Sequence, residues 1–167
     1  MSYRKDGNQT MITLVIIYDS KTGNTEKMAN SIKEGAKVVS GAEVILKKIG
    51  EPFSCFEILH GADAIILGSP AHYGHVTPEM RDFLVCLRGA KESGNLRFEG
   101  KVGAAFGSYG WDGGVCIERL ANEMEKLGIT VPFPALAQTP VISDSTQEEK
   151  KLLECRKLGT ALAEAVS

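Results

Sequence analysis

The sequence predicts an α/β domain: a doubly wound, five-stranded parallel sheet with helices on both faces. Short apolar runs alternate with helical patterns along the whole chain, the order that parallel strands joined by crossover helices require. Several of those runs are apolar almost without interruption, as strands covered on both faces are. The length of 167 residues and the 43% hydrophobic content suit one domain with a sizeable core, at roughly 100–150 residues per domain.

The first ten residues, MSYRKDGNQT, are polar and read as a short flexible tail ahead of a single domain over residues 11–167. They lack the apolar stretch of a signal peptide, so a cytoplasmic location is expected. Met11–Tyr18, nearly all apolar, is the first strand. Thr25–Val39 follows as a helix, with Met28, Ile32, Ala36 and Val39 at helical spacing. Ala42–Ile49 alternates like a strand nearer an edge, FSCFEILHG makes a short helix, and Ala62–Ser69 is a buried strand. In TPEMRDFLVCLRG, Thr77 is an N-cap, Pro78 sits in the first turn and Glu79 lies near the positive helix end. Lys101–Ser108 is the fourth strand. Val115–Leu127 is a helix with Ile117, Leu120, Ala121, Met124 and Leu127 on one face, ended by Gly128. ITVPF is the expected fifth strand, with TPVI a candidate continuation. The last helix opens at Ser145 or Thr146, each followed three residues on by a glutamate. Leu152, Cys155, Leu158, Leu162 and Ala165 mark its buried side.

Composition excludes several functions. A net charge of -2 without a basic stripe points away from nucleic acid and anionic membranes. No apolar run approaches the ~20 residues that span a bilayer. Cys55, Cys86, Cys116 and Cys155 are scattered, without zinc spacing, and read as reduced thiols; no metal site is expected.

In a sheet of this kind ligands sit beyond the carboxyl ends of the strands. The loops after strands one, three and four, DSKTGN, SPAHYGHV and SYGWDGG, therefore converge. In the first, Ser20, Thr22, Asn24 and Thr25 offer short donors, Gly23 allows close backbone approach, and the following helix points its free N–H groups at the same spot. An ordinary helix cap needs one such residue; four and a glycine point to a phosphate. The P-loop and dinucleotide fingerprints are absent. So are a Cys-x5-Arg phosphatase loop and a carboxylate closing the third strand, which leaves a small-molecule monophosphate. Tyr73, Tyr109 and Trp111 on the other two loops suggest walls for a flat ring. The backbone beside Gly74, Gly110 and Gly113 can read its polar edge. Asp112 reads as a cap of the fourth helix, Cys116 as a buried helix-face residue, Lys21 as solvated, and His72 and His75 as solvent-facing.

SKTGNT matches the flavodoxin phosphate motif Ser/Thr-x-Thr-Gly-Asn-Thr. GSPAHYGHVTPEM resembles the second flavin loop of flavodoxin-like proteins, and GAAFGSYGWDGGVCIERLANEMEKLG resembles the flavodoxin domain of flavodiiron proteins. The likeness runs from about Ile12 to the C-terminus. It implies strand order 2-1-3-4-5 and non-covalent FMN. By motif position, Ser20, Thr22, Gly23, Asn24 and Thr25 would hold the phosphate. Ser69, Pro70, Ala71, His72, Tyr73 and Gly74 would line one side of the ring, and Ser108, Tyr109, Gly110, Trp111 and Gly113 the other. Gly74 takes the place where flavodoxins set a glycine beside flavin N5, so that the preceding carbonyl can swing toward N5–H. The chain departs from the family in its weak charge, and the lack of a long insertion in the fifth-strand region implies the short-chain type. The implied function is electron relay between a reductase and a redox partner protein. The alternative is an FMN-dependent NAD(P)H:quinone-type oxidoreductase, so a monomer and a homo-oligomer both stay open.

Overall fold

Ten residues, Gln9–Tyr18, make the strand around which the sheet is assembled. The computed structural model describes residues 3–5, 9–52, 54–140 and 145–167. Its strands are β1 (Tyr3–Lys5), β2 (Gln9–Tyr18), β3 (Ala42–Lys48), β4 (Ala64–Gly68), β5 (Val102–Ser108) and β6 (Leu136–Gln138). Its helices are α1 (Asn24–Lys37), α2 (Cys55–His60), α3 (Pro78–Glu92), α4 (Val115–Leu127) and α5 (Ser145–Val166). Five strands run parallel in the order β3-β2-β4-β5-β6, which is the expected 2-1-3-4-5. Val15 of β2 faces Ile45 on one side and Ile65 on the other. β1, within the stretch read as a tail, pairs antiparallel with the start of β2, Tyr3 opposite Met11.

The central strands are buried on both faces, as their unbroken apolar runs require. Leu14, Ile16 and Tyr18 face the layer of α1 and α5; Val15 and Ile17 face the layer of α3 and α4. Side chains of α1 and α4 fall on the faces their spacing sets: Met28, Ile32 and Ala36, and Ile117, Leu120, Ala121, Met124 and Leu127, are all buried. Thr77 Oγ1 accepts the Met80 N–H at 3.2 Å, capping α3 with Pro78 just inside. Gly128 ends α4 at φ 106°.

Two expectations are corrected. The fifth parallel strand is Leu136–Gln138, not ITVPF. Thr130 makes only an isolated bridge to Val102, because Pro132 and Pro134 withhold the N–H groups a ladder needs. Of the candidate continuation TPVI, the last two positions lie outside the described residues. On α5, Ala165 is exposed, while Ala163 is buried and Val166 packs against the core.

Two glycines bring α1 and α5 into backbone contact. A Cβ on Gly159 would stand 2.0 Å from Ile32 O, and one on Gly35 would stand 1.9 Å from Arg156 O. Thr160 Oγ1 donates to Gly35 O at 2.8 Å across the same crossing.

Candidate functional site

The carboxyl ends of β2, β4 and β5 deliver the three glycine-rich loops to one edge of the sheet. Backbone bonds join them: Asp19 N–H to Gly68 O at 3.0 Å, and Ala71 N–H to Ser108 O at 2.7 Å. Thr25 Oγ1 and Ser108 Oγ share a buried hydrogen bond of 3.0 Å between the first and third loops. Between the loops lies a cleft of about 200 Å3 whose walls include Thr22, Asn24, Ala71, His72, Tyr109 and Gly110.

The first loop fits an anion. Gly23, at φ 92°, precedes α1 and makes no side-chain cap. Ser20 Oγ instead accepts from Gly23 N–H at 3.2 Å and Glu26 N–H at 3.3 Å, so an oxygen already sits where the first-turn donors converge. Asn24 Nδ2 donates to Thr22 Oγ1 at 3.0 Å, at the exposed lip. Thr25 is fully buried and spends its hydroxyl on Ser108, so what it holds directly is the spacing of two loops.

Lys21 is exposed, as expected, and is ion-paired as well. Its Nζ lies 2.9 Å from Glu79 and 3.4 Å from Asp19. The Glu79 hydrogen bond pushes the ammonium up from its ordinary value, and the Lys21 ammonium holds Glu79 below the usual carboxylate range. Asp19 is buried; Oδ1 accepts the Ser20 N–H at 2.9 Å, while Oδ2 has no hydrogen bond among the described residues. Lys21 balances that carboxylate beside the anion cradle. Sequence spacing carried no signal for this bridge, since Lys21 and Glu79 lie on separate elements.

In the second loop, Ser69 is buried and works within the backbone: its hydroxyl donates to Pro70 O at 2.9 Å and accepts Thr77 N–H at 3.1 Å. His72 and His75 exchange both backbone bonds, at 2.6 and 3.0 Å, closing a two-residue turn. Tyr73 and Gly74 at its tip have φ 51° and 77°, the type I′ pattern. Tyr73 is the one non-glycine residue with positive φ among the described residues. Its ring is 80% exposed, and the ring of His72 packs edge-on to it at 4.8 Å. Both histidines are exposed.

In the third loop, Tyr109 is half-buried and Trp111 is 79% exposed, with Gly110 and Gly113 open to solvent. Asp112 accepts from Gly114 N–H at 3.0 Å and Cys116 N–H at 3.2 Å, and so caps α4. Cys116 is buried on the helix face; burial, reinforced by Asp112, pushes its thiol up to about 11.

Sequence reading missed the loop after β6. Pro140 lines the cleft, and Gln138 O accepts the Tyr109 N–H at 3.0 Å. Its signal was masked because the strand leading to it was placed too early, at Ile129–Phe133.

Among the described residues no helix is long and apolar enough to cross a membrane. The flavodoxin family model matches residues 16–157. A flavodoxin of Aquifex aeolicus is 33% identical over 165 residues, covering 92% of this chain and 86% of that protein. The structure of a flavodoxin from the domain Archaea superposes with TM-score 0.77 at 32% identity, covering 93% of this chain and 99% of that one. Rubredoxin oxygen:oxidoreductase of Desulfovibrio gigas superposes with TM-score 0.76 at 25% identity, covering 92% of this chain and 36% of that protein. The chain belongs to the flavodoxin family and is, as its members are, an FMN-binding electron-transfer protein.

Proposed function

We propose that the chain relays electrons in the cytoplasm between a reductase and an acceptor protein, with FMN seated in the cleft between its three loops. The observation that supports this reading most is the convergence of those loops on one cleft, walled by Thr22 and Asn24 of the first loop and by the rings of His72 and Tyr109. Ser20, Thr22, Gly23 and Asn24 hold the phosphate through hydroxyls and backbone N–H groups, and Thr25 fixes the cradle to the third loop. Pro70, Ala71, His72, Tyr73 and Gly74 line one side of the ring; Tyr109, Gly110, Trp111 and Gly113 line the other, with Ser69 and Ser108 bracing the loops from within. FMN supplies the redox chemistry; the protein sets its access and surroundings.

The hairpin bears on the flavin edge. A half-turn of the Tyr73–Gly74 peptide would convert the type I′ turn to type II′, which favours glycine at the first central position. Tyr73 occupies that position, and moving a non-glycine residue into that glycine-favoured conformation costs about 1–3 kcal/mol. Gly74→Val should shift the two one-electron potentials; unchanged potentials would remove the hairpin from this role.

The deciding experiment is anaerobic. The chain is loaded with FMN and mixed with NADH or NADPH alone while the visible absorbance is followed. Flavin that bleaches only after a separate reductase is added supports the relay. Fast bleaching with nicotinamide alone would make the protein an oxidoreductase acting on its own substrate. Failure to retain flavin would remove the site assignment.

A further inference from the structure

A second cavity, about 490 Å3, lies on the far side of the His72–His75 hairpin, between α3 and α4. Its floor is apolar: Val76, Leu84, Cys116 and Leu120. Its rim carries Arg81 and Arg88 from α3 and Arg119 from α4. Further along the seam, Lys91 Nζ donates to Lys126 O at 3.0 Å, and Lys126 pairs with Glu123 at 3.0 Å. Glu123 also takes Arg88 at 3.4 Å. Arg81 has the exposed Asp82 at 3.9 Å. The groove's lining thus sets three arginines against one glutamate, Glu123, a local positive excess in a chain whose net charge is -2.

The upper end of the groove is the hairpin itself. His72 borders both the loop cleft and this groove, and Tyr73, Gly74 and His75 line the groove. Tyr73, which lines the groove, is among the large apolar side chains left exposed. An apolar hollow with an exposed tyrosine and arginines on its rim has the composition of a protein interface core.

We propose that the α3/α4 groove is the docking site for an acidic redox protein, whose apolar tip enters the hollow while its carboxylates meet Arg81, Arg88 and Arg119. A partner seated there abuts the hairpin that walls the flavin cleft, so docking and electron exchange share one structural element. The inference rests on the relay reading and names its partner's charge: this chain presents the positive half of the contact.

The test uses one acceptor in two charge forms: cytochrome c, which is basic, and succinylated cytochrome c, which carries the same haem on an acidic surface. The FMN-loaded chain is reduced and mixed with each at low and high salt. Oxidation by the succinylated form should fall as salt rises. The double variant Arg81→Glu/Arg119→Glu should slow it about tenfold or more at low salt, the scale on which charge steering acts, without loss of FMN affinity. Rates with the acidic form that ignore both salt and the double variant overturn the proposal. A binding readout separates this from the relay reading. Amide NMR of the oxidised chain titrated with reduced succinylated cytochrome c should show shifts at Arg81, Leu84, Leu120 and Glu123, with or without FMN. Shifts confined to another face overturn it, as do groove shifts that grow with the chain's own concentration and make a second copy the occupant. A chain that loses FMN but keeps the groove shifts would fail the relay and sustain the docking.

Discussion

The two helical layers differ in how their helices meet. On one side α1 and α5 press backbone to backbone through Gly35 and Gly159, where a single added carbon would stand about 2 Å from a carbonyl oxygen. On the other side α3 and α4 stand apart around a cavity of about 490 Å3 rimmed with arginines. Both layers cover the same sheet, and the residues at each seam differ: glycines where the helices touch, larger side chains where they stand apart. The closed side is specialised for stability. The open side keeps apolar surface in reach of solvent, next to the His72–His75 hairpin that borders the loop cleft.

The largest expected effect lies on the closed side. Gly159→Ala must push α5 off α1 and should cost about 3 kcal/mol or more in urea unfolding; a loss below ~1 kcal/mol would show that the crossing gives way easily and would break the contrast. Thr25→Val removes the buried bond to Ser108 and leaves that hydroxyl without its partner. It should lower stability by about 1–3 kcal/mol and weaken FMN binding, measured by fluorescence titration.

Each layer also buries a thiol. Burial pushes Cys116, in the open layer, up to about 11 and Cys155, in the closed layer, up to about 12, from 9.0. Between 9.0 and those values the unfolded chain loses the proton and the folded chain keeps it. Stability is therefore full below 9.0 and falls as pH rises, by up to about 1.4 kcal/mol per pH unit for each thiol. Urea midpoints at about pH 8 and about pH 10 should differ less in Cys116→Ala and in Cys155→Ala than in the parent.

Smaller effects belong to the open side. Tyr73→Asn places the residue that type I′ turns favour at the hairpin tip and should stabilise the chain by about 0.5–1 kcal/mol. If Tyr73 walls the ring, FMN affinity falls in the same variant; affinity that holds would take Tyr73 out of the wall. Arg119→Ala, at the rim of the groove, should change stability by less than about 0.5 kcal/mol. A larger loss would mean that the seam is held together after all.

Local sequence specified the α/β alternation, the buried strands, the caps at Thr77 and Gly128 and the edge of the sheet where the three loops converge. All of these rest on local periods and on residues whose backbone preferences act within a few positions. Its one failed strand was at Ile129–Phe133, where apolar content is high but prolines withhold the N–H groups; the sheet takes Leu136–Gln138 instead. Tertiary structure alone decided the Lys21 bridge to Asp19 and Glu79, the Thr25–Ser108 bond and the spacing of the helix pairs. Apart from the local Lys21–Asp19 pair, each joins residues from separate elements, and their meeting depends on how the sheet orders its strands and how the helices pack on it, which no local pattern encodes.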